Sequence, residues 1–427
     1  MTHFTHDISA ALAAHAGVKA AYAKRIDAAR DGLAYWRKTD DKDFAAVRRS
    51  VEATDLGPAK DVVEHLTKNT TDLVVLGIGG SSLGAQTLAQ LAFWGTPAYV
   101  PRPGGPRVHI IDGIDSAVFR KLLQNVDLRT TRFFVVSKSG SNTEPLMQTL
   151  VAIQALEEAG GGKYLKHHFA GVTEEKPNPL RTILRDMDAP VLAHDPDLGG
   201  RFSAFSVVGL VPAMLVGLDP VALRTGAAEM LAAAMKGDVP AVDGAALSVA
   251  ASDAGLNQSV MWVYRDRLAR LPKWWRQLWA ESLGKNGKGT TPIDAQGPVD
   301  QHSQLQLYLD GANDKLFTLI EAPAMVDATA NESWAKKHDL ALYAGRGMSE
   351  VVAAQVRATA ETLTGAGRAV RRISFQKPLE ERNLGALLMH FILETLIAAR
   401  LWGVEPFGQP AVEQGKILTR KYLSDAK

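Results

Sequence analysis

The chain has 427 residues, 46% of them hydrophobic, and 48 Lys plus Arg nearly balance 46 Asp plus Glu. That length predicts two or three domains with sizeable cores, and the even charge gives no field to recruit nucleic acid or an anionic membrane. Cysteine is absent, which excludes disulfides, thiolate metal sites and a cysteine nucleophile. The eleven histidines show no metal-binding spacing, so no metal and no cofactor are expected. The N-terminus lacks a basic region followed by an apolar core, so no signal peptide is expected and the predicted location is cytoplasmic.

From Ile8 to about Lys68 the chain is Ala-rich and charged. Leu12, Val18, Tyr22, Ile26 and Leu33 fall at helical spacing and predict a helical N-terminal layer. Five apolar runs follow: Leu73–Ile78, Val108–Ile111, Phe133–Val136, Phe169–Val172 and Pro190–Ala193. Near-continuous apolar strands alternating with helical segments predict a parallel sheet covered on both faces. In such sheets ligands bind at the carboxyl ends of the strands. The uncharged run Phe202–Leu218 carries serines, glycines and a proline, and His390 and Glu394 interrupt Leu387–Leu396, so no membrane span is expected. A softer stretch, 217–244, reads as a domain junction. Beyond it Ala245–Ala254 and Lys273–Leu283 read as helices, and Val260–Tyr264, Leu316–Glu321 and Val370–Phe375 as strands. Leu379–Leu401 and Ala411–Leu423 read as long helices.

Two loops fall at predicted carboxyl ends of strands. The first, in Val74–Gly84, has glycines at 77, 79, 80 and 84 with Ser81 and Ser82 among them. Its spacing departs from the dinucleotide fingerprint and suits close backbone approach to a small polar ligand, or simply a tight turn. The second, Ser137-Lys-Ser-Gly-Ser-Asn-Thr143, empties a strand into hydroxyl residues before a helix begins. Free N–H groups, hydroxyls and a helix N-terminus suit a phosphate; the same residues also serve as a plain helix cap. Further on, Trp274, Trp275, Leu278 and Trp279 form the apolar stripe of a helix. Gln277 and Glu281 share its other face, where Glu281 could also pair with Lys285 at i,i+4.

Six blocks occur in order: Gly77–Gly84, Ser137–Glu144, Gly199-Gly-Arg-Phe-Ser203, Glu281-Ser-Leu-Gly-Lys285, Gln301-His-Ser303 and Pro406–Lys416. Together they resemble the glucose-6-phosphate isomerase family. The resemblance implies an α/β fold of two sugar-isomerase domains, flavodoxin-like with parallel sheets, and helical N-terminal and C-terminal segments. The implied division is a helical extension over 1–55, a first domain over 56–225 that carries the phosphate loops, and a second over 226–427. It also implies an aldose–ketose isomerase of glycolysis and gluconeogenesis that works through a cis-enediol(ate). The alternatives are an isomerase that also accepts mannose 6-phosphate, or a phosphosugar-binding regulator without catalysis.

By the same resemblance Glu281 is the base at sugar C2, and Arg201 stabilises the enediolate. His302 and Lys416 assist ring opening. Ser137, the Lys138 backbone, Ser139 and Asn142 hold the phosphate, and Gln277, Gln409, Gly80 and Ser81 line the sugar pocket. The implied partners are a sugar phosphate and a second copy of the chain whose His302 reaches across a homodimer interface. The chain departs from the family pattern at Leu283, where Asn is usual, and at Ser139, Ser141 and Asn142, where Thr is usual.

Overall fold

The computed structural model describes residues 3–425 apart from Ala53 and Asp238. Strand β1 (Thr5–Asp7) opens the chain, followed by the helices Ser9–Ala14, Ala16–Lys38, Lys42–Glu52 and Leu56–Thr67. Five strands then alternate with helices: β2 (Asp72–Leu76), β3 (Arg107–Ile111), β4 (Thr131–Val136), β5 (Phe169–Thr173) and β6 (Val191–Ala193). They pair in parallel in the order β3-β2-β4-β5-β6, with Val75 opposite both Ile110 and Phe134. Every residue of β2, β4 and β5 is buried. A sheet covered on both faces needs apolar side chains at each successive position, which is why these strands read as unbroken apolar runs.

The second sheet holds β7 (Gln258–Val263), β8 (Thr291–Gln296), β9 (Lys315–Glu321) and β10 (Ala369–Ser374), and its order is β1-β10-β9-β7-β8. Strands β7 to β10 are parallel and repeat the first sheet's winding: the first strand pairs with the second on one side and the third on the other. The fifth place is taken by β1, antiparallel to β10. Both sheets therefore have a switch point, between β2 and β4 in one and between β7 and β9 in the other.

Three features differ from the sequence reading. Strand β8 was not expected: it is an edge strand, half exposed, and its Thr-Pro-Ile-Asp-Ala-Gln has no apolar run. Thr5–Asp7 forms a strand at the head of what reads as a helical segment. Most of the stretch expected to be a soft junction is helical, over Pro220–Lys236 and from Pro240 onward. The helix Pro220–Lys236 begins on an Asp219 side chain that accepts from Val221 N and ends at Gly237 in the left-handed region.

The helix Glu381–Trp402 runs through the core, and every residue from Leu384 to Ala399 is buried. It is long and apolar enough to cross a membrane by length and composition, and 89% of its apolar 18-residue window is buried inside the protein. Its Glu394 meets Arg371 of β10 at 2.9 and 3.0 Å, and Arg371 Nε donates to Thr318 Oγ1 at 2.7 Å. Satisfying the guanidinium this fully offsets the desolvation that a buried ion pair must meet.

Candidate active site

Helix Leu271–Leu283 buries Trp274, Trp275, Leu278 and Trp279, each at 2% exposure or less. That anchored stripe fixes the opposite face, where Gln277 Nε2 donates to Glu281 Oε1 at 3.0 Å. The other carboxylate oxygen accepts from Arg201 Nη1 at 3.2 Å. Lys285 does not pair with Glu281; its ammonium meets the carbonyl of Glu405. The start of this helix is tied to the first unit, for Arg270 N donates to Gln90 Oε1 at 2.6 Å and Thr87 Oγ1 donates to Arg270 O at 3.1 Å.

Arg201 sits in the 3₁₀ segment Gly200–Phe205 and is only 3% exposed. Its Nε donates to Ser282 Oγ at 2.8 Å and its Nη1 to Gln409 Oε1 at 2.5 Å. Nη2 donates to the carbonyls of Pro406, Phe407 (2.7 Å) and Gly408 (3.4 Å). Burial pushes the guanidinium's pKa down from its ordinary value, opposed by Glu281 and Glu405. Gly80 packs directly on this segment. A Cβ there would lie 2.2 Å from the carbonyl carbon of Gly200, so any side chain would force the two loops apart. The hydroxyl of Ser203 donates to Gly80 O at 3.3 Å, Ser81 follows in the same turn, and Gly79 packs against the Gln277 amide.

The loop after β4 holds Ser137, Lys138, Ser139 and Asn142. The hydroxyls of Ser137 and Ser139 donate to Asn142 Oδ1 at 3.0 and 3.1 Å. Gly140 has φ +62° and leaves room for Asn178, whose Oδ1 would lie 1.7 Å from a Cβ there. Among the described residues nothing accepts from the N–H groups of Lys138, Ser139 and Asn142. They stand at the N-terminus of the helix Thr143–Glu158. Free N–H groups at the positive end of a helix dipole form an anion cradle. The Lys138 side chain turns away and donates from Nζ to Leu198 O at 3.1 Å; burial pushes its pKa down.

Glu281, Arg201, Gln277 and Gln409 are thus in contact, directly or through one another, with Gly80 and Ser81 beside them. His302 and Lys416 are not among these contacts. His302 is exposed, and its ring makes no hydrogen bond among the described residues. Lys416 pairs with Glu413 at 2.7 Å on the helix Glu413–Asp425, of which no residue is buried. A cavity of about 690 Å³ at the carboxyl ends of β7, β9 and β10, lined by Tyr264, Arg265, Glu321 and Arg372, holds none of the expected residues.

The sequence reading assigned nothing to Ser282, Glu405, Thr87 or Gln90. Ser282 stands inside the Glu281–Lys285 block, and Glu405 directly precedes the Pro406–Lys416 block. Position beside a motif was the only signal either gave.

The sequence profile of the family described as phosphoglucose isomerase matches residues 45–427. A glucose-6-phosphate isomerase of Rubrobacter xylanophilus is 38% identical over 364 residues, 84% of each chain. One of Thermus thermophilus is 36% identical over 363 residues, 83% of this chain and 84% of its own. The crystal structure of a hypothetical protein from Thermus thermophilus superposes with a TM-score of 0.85 at 30% identity, covering 98% of this chain and 99% of the other. A glucose-6-phosphate isomerase from Chlamydia trachomatis shares the fold at a TM-score of 0.75 and 22% identity, covering 93% of this chain and 78% of its own. With the profile spanning nearly all of it and relatives this similar along most of their length, the chain belongs to the phosphoglucose isomerase family.

Proposed function

We propose that this protein interconverts D-glucose 6-phosphate and D-fructose 6-phosphate through a cis-enediol(ate). The observation that carries the reading is the Glu281 carboxylate, held between the Arg201 guanidinium at 3.2 Å and the Gln277 amide at 3.0 Å. A fixed carboxylate beside a buried cation can take a proton from a carbon while the cation stabilises the charge that develops. Glu281 removes the proton at sugar C2 and returns it to C1; the buried positive charge of Arg201 beside it stabilises the enediolate.

The substrate's phosphate rests on the N–H groups of Lys138, Ser139 and Asn142, with the hydroxyls of Ser137 and Ser139 beside them. Gln277 and Gln409 meet the sugar hydroxyls over the backbone of Gly80 and Ser81. Ring opening falls to Lys416 and to His302 supplied by a second copy in a homodimer. Two observations support that assembly. The His302 ring is exposed and unengaged, and the helix Glu413–Asp425 exposes Ile417, Leu418, Tyr422 and Leu423. Large apolar side chains left uncovered on one helix favour a surface that covers them.

The test is a coupled assay that starts from fructose 6-phosphate, in the presence of a chelator, and detects glucose 6-phosphate and mannose 6-phosphate separately. Glucose 6-phosphate is expected, at a rate the chelator leaves unchanged, since every step uses protein groups. A protein that binds fructose 6-phosphate without converting it is the non-catalytic regulator instead.

A further inference from the structure

The turn that follows the buried helix Glu381–Trp402 is held from both sides. The N–H groups of Phe407 and Gly408 each donate at 2.6 Å to the Glu405 carboxylate, one to each oxygen. The carbonyls of Pro406 and Phe407 both accept from Arg201 Nη2. These four groups belong to two peptide units. Phe407 N–H shares a plane with Pro406 C=O, and Gly408 N–H shares one with Phe407 C=O. In a trans peptide the N–H and C=O point in opposite directions. A carboxylate that takes both N–H groups therefore turns both carbonyls toward the arginine.

Glu405 is itself anchored. Lys285 Nζ donates to its backbone carbonyl and lies 3.6 Å from its Oε2. Lys285 stands two residues beyond the helix that carries Glu281, so the anchor links the turn to the element bearing the candidate base. Burial acts to raise the Glu405 pKa; the two amides and Lys285 outweigh it and hold the carboxyl below its ordinary value. Just after the turn comes Gln409, whose Oε1 accepts from Arg201 Nη1.

We propose that Glu405 is a positioning residue for the isomerisation: by fixing two peptide groups it builds the carbonyl cup that orients Arg201, and with it Gln409, toward Glu281. This rests on the role proposed above for Arg201. A guanidinium so deeply buried has few ways to satisfy its donors, and its orientation follows the acceptors it is given. Losing the cup leaves the charge in the site and spoils its aim, and a misplacement of about 1 Å can cost about 10²-fold in rate.

Glu405→Gln tests this, because an amide puts an NH₂ where the second N–H needs an acceptor. The expected result is a kcat lower by about 10–100-fold with KM for fructose 6-phosphate changed far less, since the phosphate loop after β4 makes no hydrogen bond to this turn among the described residues. Affinity for a phosphorylated sugar hydroxamate, which mimics the enediolate, falls in parallel with kcat. Hydrogen exchange at the Phe407 and Gly408 amides accelerates. Glu405→Asp, which keeps both acceptors, recovers part of the loss.

Wild-type kcat in Glu405→Gln with accelerated amide exchange overturns the proposal. So does an equal loss in the Asp and Gln variants. Arg201→Lys, assayed alongside, separates the two readings. Full activity there defeats the role of Arg201, whereas a loss there with an active Glu405→Gln defeats only the positioning role. If Glu405→Gln does not fold, Lys285→Met carries the test: a smaller fall in kcat at unchanged KM is expected, and wild-type kcat overturns the proposal.

Discussion

Glu281 accepts one donor on each carboxylate oxygen, from Gln277 and from Arg201, while Lys285, its neighbour at i,i+4, is engaged with Glu405. Surface pairing at helical spacing contributes only about 0.2–0.5 kcal/mol, so a better acceptor elsewhere readily draws the lysine away. The carboxylate is left to the site. Glu281→Gln keeps the size and part of the hydrogen bonding and removes the proposed base. Turnover should fall by about 10²–10⁴-fold, while binding of a phosphorylated sugar-acid inhibitor persists in titration calorimetry. Near-wild-type turnover in that variant would move the base to another residue.

At the scale of elements, three residues of β1 close the edge of the second sheet and bring His6 against the core helix. His6 and His390 have ring centroids 5.5 Å apart, and His390 Nε2 lies 3.2 Å from Glu394 Oε2. Burial pushes both imidazoles below their ordinary pKa; Arg371 adds to this for each, and Glu394 opposes it. The unfolded chain takes protons on both near pH 6.5 while the native state does not, so the unfolded state binds more protons below that value. Stability therefore holds above about pH 6.5 and falls as the pH drops, by about 1.4 kcal/mol per unit for each histidine until its native pKa is reached. Urea titrations at pH 7.5 and pH 5.5 read the effect, and His6→Gln should lessen the difference by its own share, since the buried His168, His194 and His390 still take up protons on unfolding. An unchanged difference in that variant would place the proton uptake elsewhere.

For the whole molecule, the homodimer proposed above is tested by asking which chain supplies His302. In a twofold dimer with shared sites, Glu281→Gln and His302→Ala homodimers are each nearly inactive. A mixed dimer gathers both lesions in one site and leaves the other intact. Random reassortment of equal amounts makes half the dimers mixed, so activity should recover to roughly one quarter of wild type. Subunits mixed in mild denaturant, refolded and assayed, with exchange confirmed by a mass tag, give the answer. Confirmed mixed dimers without activity would show that each chain uses its own histidine.

The sequence by itself determined eight of the ten strands, the long core helix and the face of the tryptophan helix that bears Glu281. These are matters of local periodicity: burial on one or both sides of an element writes itself into residues two to four positions apart. The motif order also named Arg201, Glu281 and Gln409. Tertiary structure alone decided how they meet. Arg201 and Gln409 are 208 residues apart in the chain and 2.5 Å apart in the fold. The same holds for β1, which reads as polar and takes its place because β10 leaves an edge to pair, and for β8, whose half-exposed position imposes no apolar run. Glu405 gave no signal beyond its place before a motif, because at the turn its carboxylate meets backbone N–H groups, which every sequence has and only a particular turn presents together.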